Sequence, residues 1–170
     1  MDGLFNIALT EAPMYRPGHY GVALLTYTPI AMLSSAVITT QTVIIGGVIT
    51  IAVAMLPDID LRLPFVRHRG ITHTVWFAGI VGVLLAIVVA VTTGWFKLAI
   101  YLGGVATLSV CSHLLADAVT PMGIRPFEPF WSPRYSLDIV LSENPIANYG
   151  LFGAGITVSV SVAAITFHWI

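Results

Sequence analysis

The chain has 170 residues, 57% of them hydrophobic and 9% charged, with a mean hydropathy of +0.92 and a formal net charge of −1. Soluble domains carry about 25% charged residues, so this chain lacks the polar surface that water requires. The near-zero charge argues against a general nucleic-acid surface, which needs a basic excess, and a single cysteine, Cys111, allows no internal disulfide.

Five apolar runs follow in chain order. A membrane-crossing helix needs about 20 mostly apolar residues. The first run, 20–39, contains Pro29; the second, 41–57, is short; the third, fourth and fifth cover 72–93, 95–119 and 148–170. The first two can also be read as a re-entrant pair. Backbone groups in lipid must be satisfied internally, and long runs without apolar/polar alternation suit helices better than barrel strands. The expected fold is all-α, a polytopic membrane bundle of about five spans forming one embedded domain over 1–170. No charged start with a short apolar core and a cleavage site precedes the first run, so no removable signal peptide is expected. Two segments between runs stand out, 58–71 and 120–147. The second is rich in proline and aromatics and lacks Gly/Ser bias, so it reads as an ordered loop.

The polar residues gather on this topology. His19 precedes run one, Asp58 and Asp60 follow run two, His68 and His73 open run three, and His113 and Asp117 lie near the end of run four. Alternate crossings bring all seven to one membrane face, whereas Lys97 falls on the other. His113 and Asp117 are four apart and share a helix face. His68 and His73 are five apart, which places His68 in the loop and His73 in the first helical turn, with Gly70 letting the backbone turn between them. Pro57 ends run two and aims the aspartates out of the helix. Asp58 and Asp60 then point alternate ways, so only one reaches a given metal. Imidazole and carboxylate are the usual ligands for zinc and also suit manganese or iron. The candidates outnumber the three or four ligands of one zinc, so one or two divalent ions fit. Each residue alone has an ordinary reading: an interfacial histidine, as for His168, or a capping aspartate. Their convergence at membrane depth, where such groups are costly, favours a site.

The stretches "LPDID" (56–60), "HRGITHT" (68–74) and "HLLADAVTPMGIRPFEPF" (113–130) together resemble the YdjM-type inner-membrane-bound metal-dependent hydrolases, also described as LexA-binding hydrolases. His19 and Gly21 are similar to the opening of that pattern, and the resemblance covers roughly 15–145. More loosely, the ligand types are similar to those of zinc phospholipase C and the zinc nucleases related to it. The resemblance implies His19, Asp58, His68, His73, His113 and Asp117 as metal ligands and hydrolysis as the activity.

Arginines complete the pattern. Guanidinium groups match phosphate oxygens with paired hydrogen bonds, so Arg67, Arg69, Arg125 and Arg134 are candidates for a phosphate clamp, or else headgroup anchors. An unliganded Asp60 would serve as general base or orient water. Six arginines on the motif face against Lys97 opposite place that face and the N-terminus in the cytoplasm by the positive-inside rule. The expected function is a membrane-embedded metal-dependent hydrolase of a lipid or other amphiphilic phosphoester. The alternative is a non-catalytic membrane protein whose structural or sensory metal site recruits a cytoplasmic regulator. The expected partners are the bilayer and an amphiphilic substrate. Gly46-Gly47 and Gly103-Gly104 could bring helices close within one chain or between copies.

Overall fold

The computed structural model describes residues 13–167. These form five helices, α1 (Arg16–Ser34), α2 (Thr40–Val53), α3 (Val75–Thr93), α4 (Phe96–Ala118) and α5 (Pro145–Thr166), with two short 3-10 turns, Pro57–Arg62 and Ile71–His73. No named strand occurs among the described residues; one isolated bridge pairs Ile124 with Tyr135. His168 lies outside them.

Four segments are long and apolar enough to cross a membrane: Thr40–Arg62, Val75–Thr93, Phe96–Ala118 and Pro145–Thr166. The short second run gains its length from the 3-10 turn that continues α2 beyond Pro57. Of the five expected spans, the first is the one outside this set. α1 has 19 residues, but His19, Tyr27 and Thr28 dilute its apolar character, and all three are buried. Burial inside the bundle, rather than contact with lipid, accounts for their presence there.

Local signals explain the helix ends. Thr39, Thr74 and Asn144 each cap a helix by accepting a backbone N–H, and Gly94 closes α3 at φ +70°. Pro29 does not end α1; hydroxyls of Thr26 and Thr28 bond to carbonyls one turn back around it. Small residues set the closest helix contacts. A Cβ on Gly103 of α4 would meet the Gly82 carbonyl at 2.7 Å, and one on Gly155 of α5 would meet the Gly21 carbonyl at 2.8 Å. Gly103 is thus used within the chain, against α3.

α4 is the central helix. Of its spanning window, 56% is buried, against 11% for α3 and 6% for α5. The bundle is inverted relative to a water-soluble domain. Leu33, Val37, Val83, Val91 and Ile100 are exposed, whereas the largest fully buried side chains are His19, His73 and His113. Apolar atoms face outward to lipid and polar atoms face one another inside. The turn between α1 and α2 lines a cavity with Trp95, Lys97 and Leu98 of the α3–α4 turn, so both turns lie at the same end. The 120–147 segment folds back on the end of α4. Leu137 and Ile139 N–H groups donate to the Ala118 and Val119 carbonyls, and the Ser136 hydroxyl donates to the Thr120 carbonyl.

Candidate metal centre

Four elements supply the cluster. The first turn of α1 presents His19. Pro57, which lacks an N–H, ends the α-helical ladder of α2, and the tighter 3-10 winding carries Asp58 and Asp60 inward. The loop before α3 supplies His68, and the 3-10 turn Ile71–His73 ends on His73. The last turns of α4 supply His113 and Asp117. The left-handed residue in "RHRG" is Arg69, at φ +58°, not Gly70. Gly70 is needed for space: a Cβ there would meet the Arg67 carbonyl at 2.8 Å.

Four ligand-type atoms converge. His73 Nε2 and His113 Nε2 are 3.3 Å apart. Asp117 Oδ2 lies 3.2 Å from the first and 3.4 Å from the second. Asp58 Oδ1 lies 3.5 Å and 3.3 Å from the same two nitrogens. A tetrahedral zinc with bonds of about 2.0–2.1 Å has ligand–ligand edges about 1.63 times longer, or about 3.3–3.4 Å. The five distances, 3.2–3.5 Å, lie close to that edge length.

The outer contacts fix which atoms face inward. His113 Nδ1 lies 2.8 Å from the Ala54 carbonyl, where the α2 ladder ends. A carbonyl only accepts, so Nδ1 carries the proton and Nε2 presents a lone pair. His73 Nδ1 faces Asp60 Oδ2 at 3.2 Å with the same consequence. Asp60 also takes donors from His68 Nδ1 at 2.9 Å, Thr72 Oγ1 at 2.7 Å and the Arg69 N–H at 3.2 Å. It sits behind the histidines and holds their tautomers, as carboxylates do behind metal-bound imidazoles. His19 stacks on His113 with ring centroids 3.9 Å apart, and its Nε2 is 3.8 Å from Asp117 Oδ1.

These residues fit a cation. Two imidazole lone pairs and two carboxylates in mutual contact repel one another unless a proton or a metal ion sits between them. Both nitrogens of His19, Nε2 of His68 and Oδ2 of Asp117 are buried without hydrogen-bond partners. Two trios with no residue in common, His19–His113–Asp117 and Asp58–His68–His73, each bring ligand atoms within 4.8 Å of one another. Three carboxylates against the Arg69 guanidinium leave two negative charges when the histidines are neutral, which one divalent ion cancels.

The family model described as the YdjM inner membrane protein matches residues 14–170. The chain belongs to the YdjM inner membrane protein family. No curated protein and no solved structure matches it. Membership places this YdjM-family chain in a membrane, in agreement with its inverted bundle, and its buried His/Asp groups could hold a metal ion.

The structure brings His19, Asp58, Asp60, His68, His73, His113 and Asp117 together, and two of the four candidate arginines are engaged with acidic partners. Arg69 is buried, and its guanidinium is spent on Asp117 Oδ1 at 2.7 Å, the Gly123 carbonyl at 3.0 Å and Thr120 Oγ1 at 3.2 Å. Arg125 pairs with Glu128 at 3.2 Å. Arg67 and Arg134 are exposed. Thr72, Thr120 and the Ala54 carbonyl escaped the sequence reading. Thr72 and Thr120 lie inside the "HRGITHT" and "HLLADAVTP" motifs, but no residue-type signal separates them from ordinary capping threonines.

Protonation of His73 reports on the same geometry. Burial alone would lower its pKa, but the Asp117, Asp58 and Asp60 carboxylates beside the ring outweigh burial and raise it to about 10. A raised folded-state value contributes stability that is complete below the unfolded value of about 6.5 and is lost as pH rises through about 10. Chelator-treated protein in detergent should therefore melt at progressively lower temperature between about pH 7 and 10. Metal-loaded protein should not, because the ion takes the place of the proton. A flat profile after chelation would show that no imidazolium is held there.

Proposed function

We propose that this YdjM-family chain is a membrane-embedded metal-dependent hydrolase of a lipid phosphoester, working at the cytoplasmic face. The observation that carries the reading is the convergence of His73, His113, Asp58 and Asp117 at metal-ligand spacing. A divalent ion held there, with zinc the best fit and manganese or iron also suited, would supply Lewis acidity that polarises a scissile phosphoryl group and acidifies water. His19 and His68 extend the ligand set toward a second ion.

The chain's own residues divide the remaining work. His68 donates Nδ1–H to Asp60 and leaves Nε2 without a partner. With one ion bound, that is the arrangement of a general base steadied by a carboxylate, so Asp60 acts through His68; a second ion would take the same Nε2 as a ligand instead. Asp58 has a partly exposed side chain and lines the cleft outside the cluster, where it can hold a water. Arg69 fixes Asp117.

A second reading has its own observation. If all four converging atoms bind one ion, the coordination shell is closed, as in structural sites. The protein would then be a non-catalytic, metal-stabilised or metal-sensing membrane component that recruits a regulator.

The test uses full-length protein purified in detergent under metal-replete conditions. Metal is measured by mass spectrometry beside His113→Ala, and phosphate release is followed from phosphatidic acid micelles and from p-nitrophenyl phosphate. Bound metal with phosphate release supports the hydrolase. Bound metal without release from either substrate supports the closed-site reading. Wild-type protein without metal removes both.

A further inference from the structure

We propose that the cleft between the start of α1 and the end of α2 is a subsite for the anionic headgroup of a lipid, with Arg16 and Arg62 as its phosphate-binding pair and the α1–α2 seam as the slot for its tail. The proposal rests on the hydrolase reading for its purpose, but its binding test does not depend on turnover.

The cleft has a volume of about 340 Å³ and is lined by Arg16, Tyr20, Met55, Leu56, Asp58 and Arg62, among others. Asp58 is therefore shared: its Oδ1 belongs to the metal cluster and its side chain forms part of the cleft wall. An anion seated in the cleft lies next to the cluster. Arg16 and Arg62 are both exposed, and neither takes part in an ion pair among the described residues. They differ in this from Arg69 and Arg125, whose guanidinium groups are engaged with Asp117 and Glu128. Two guanidinium groups without ion pairs among the described residues, flanking a cleft of this size, suit phosphate oxygens, which guanidinium matches with paired, charge-assisted hydrogen bonds.

The seam below the cleft is apolar. A second cavity, about 160 Å³, is lined by Leu24, Tyr27 and Ala31 of α1 and by Ile44 and Gly47 of α2, and is walled on its third side by α5 through Val162 and Ala163. On α1, Tyr20, Leu24, Tyr27 and Ala31 follow one another at spacings of four, three and four. Ile44 and Gly47 of α2 likewise share a face. The two cavities thus lie along the same face of α1, the polar one at the arginine end and the apolar one deeper. That order is the order of a lipid phosphate, head at the interface and tail below. A Cβ on Gly47 would meet only Tyr27, at 3.5 Å, so the slot has room there.

The experiment is native mass spectrometry of the full chain in detergent with equimolar dipalmitoyl phosphatidic acid and dipalmitoyl phosphatidylcholine, with metal content read on the same samples. Wild type should retain phosphatidic acid preferentially, and Arg16→Gln/Arg62→Gln should reduce that preference about tenfold or more while keeping its metal. Unchanged preference in the double variant would overturn the proposal. So would an equal loss in Arg67→Gln/Arg134→Gln, which removes two charges from the same face outside the cleft and would reveal general headgroup attraction. Gly47→Leu should weaken retention of the dipalmitoyl lipid but not of its dihexanoyl analogue; equal retention of the dipalmitoyl lipid would overturn the tail slot. Inorganic phosphate at the lipid's concentration should leave the lipid bound. Its displacement would reassign the cleft to free phosphate. A wild type without metal that still shows the arginine-dependent preference would overturn the hydrolase reading and leave the subsite standing.

Discussion

Asp117→Asn should purify without metal under conditions that load the wild type, with affinity lowered more than a hundredfold. Each carboxylate oxygen has a separate partner. Oδ2 faces His73 and His113 Nε2, and Oδ1 accepts from Arg69 Nη2 at 2.7 Å. An amide cannot serve both. With its NH2 toward Arg69, donor meets donor; with its NH2 toward the histidines, the ligand atom is gone. The substitution also removes one of the two uncompensated negative charges that a divalent ion would cancel. Changes that only disturb the residues behind a ligand typically weaken metal binding about 10–100-fold, so loss of a ligand exceeds that range. Stability should suffer as well. Removing one partner of a buried ion pair costs about 3–5 kcal/mol, here because Arg69 is left buried against an amide. Metal content and melting temperature of the purified variant measure both effects. Full occupancy would remove Asp117 from the ligand set.

Arg69→Lys should lower metal affinity about 10–100-fold before any substrate is present, although it conserves the charge. The guanidinium works as a fork: Nη2 holds Asp117, while Nη1 holds Thr120 Oγ1 and the Gly123 carbonyl. A lysine ammonium is one point donor and cannot span those acceptors with planar geometry. The backbone is committed too. At φ +58° a non-glycine residue carries a cost of about 1–2 kcal/mol, offset here by the Arg69 N–H bond to Asp60 and by the fork. Arg69→Gly relieves that backbone cost but loses the fork, so it should also bind metal weakly. This result separates two roles for the residue. An arginine that clamps phosphate would spare metal binding and impair only substrate, whereas one that positions Asp117 impairs metal binding itself. Isothermal titration of zinc into chelated protein makes the distinction, and wild-type affinity in Arg69→Lys would refute the positioning role.

Class and coarse topology were legible from residue order alone. Hydropathy is a property of each residue summed over a window, and it needs no knowledge of packing; the helices of the third, fourth and fifth runs appear close to where composition places them. The gathering of histidines and aspartates at one end was legible too, because alternate crossings return to the same face whatever the helices' rotation. α1 was harder. Its buried His19, Tyr27 and Thr28 lower its hydropathy, and only the bundle shows that they face neighbouring helices.

The division of labour inside the cluster came from tertiary structure. Asp58 and Asp60 are the same residue type two apart, and no pattern distinguishes them. The 3-10 winding after Pro57 sets Asp58 toward His113 and Asp60 behind His68 and His73. Arg69 read as a free cation in its motif, yet a left-handed φ turns it inward onto α4, 48 residues away in sequence at Asp117. His19 reaches the site by stacking on His113 from another helix. Residue type and hydropathy are local quantities and survive in the sequence. The atom each side chain presents depends on backbone dihedrals and on helices packed from distant parts of the chain, so it exists only once the bundle has closed.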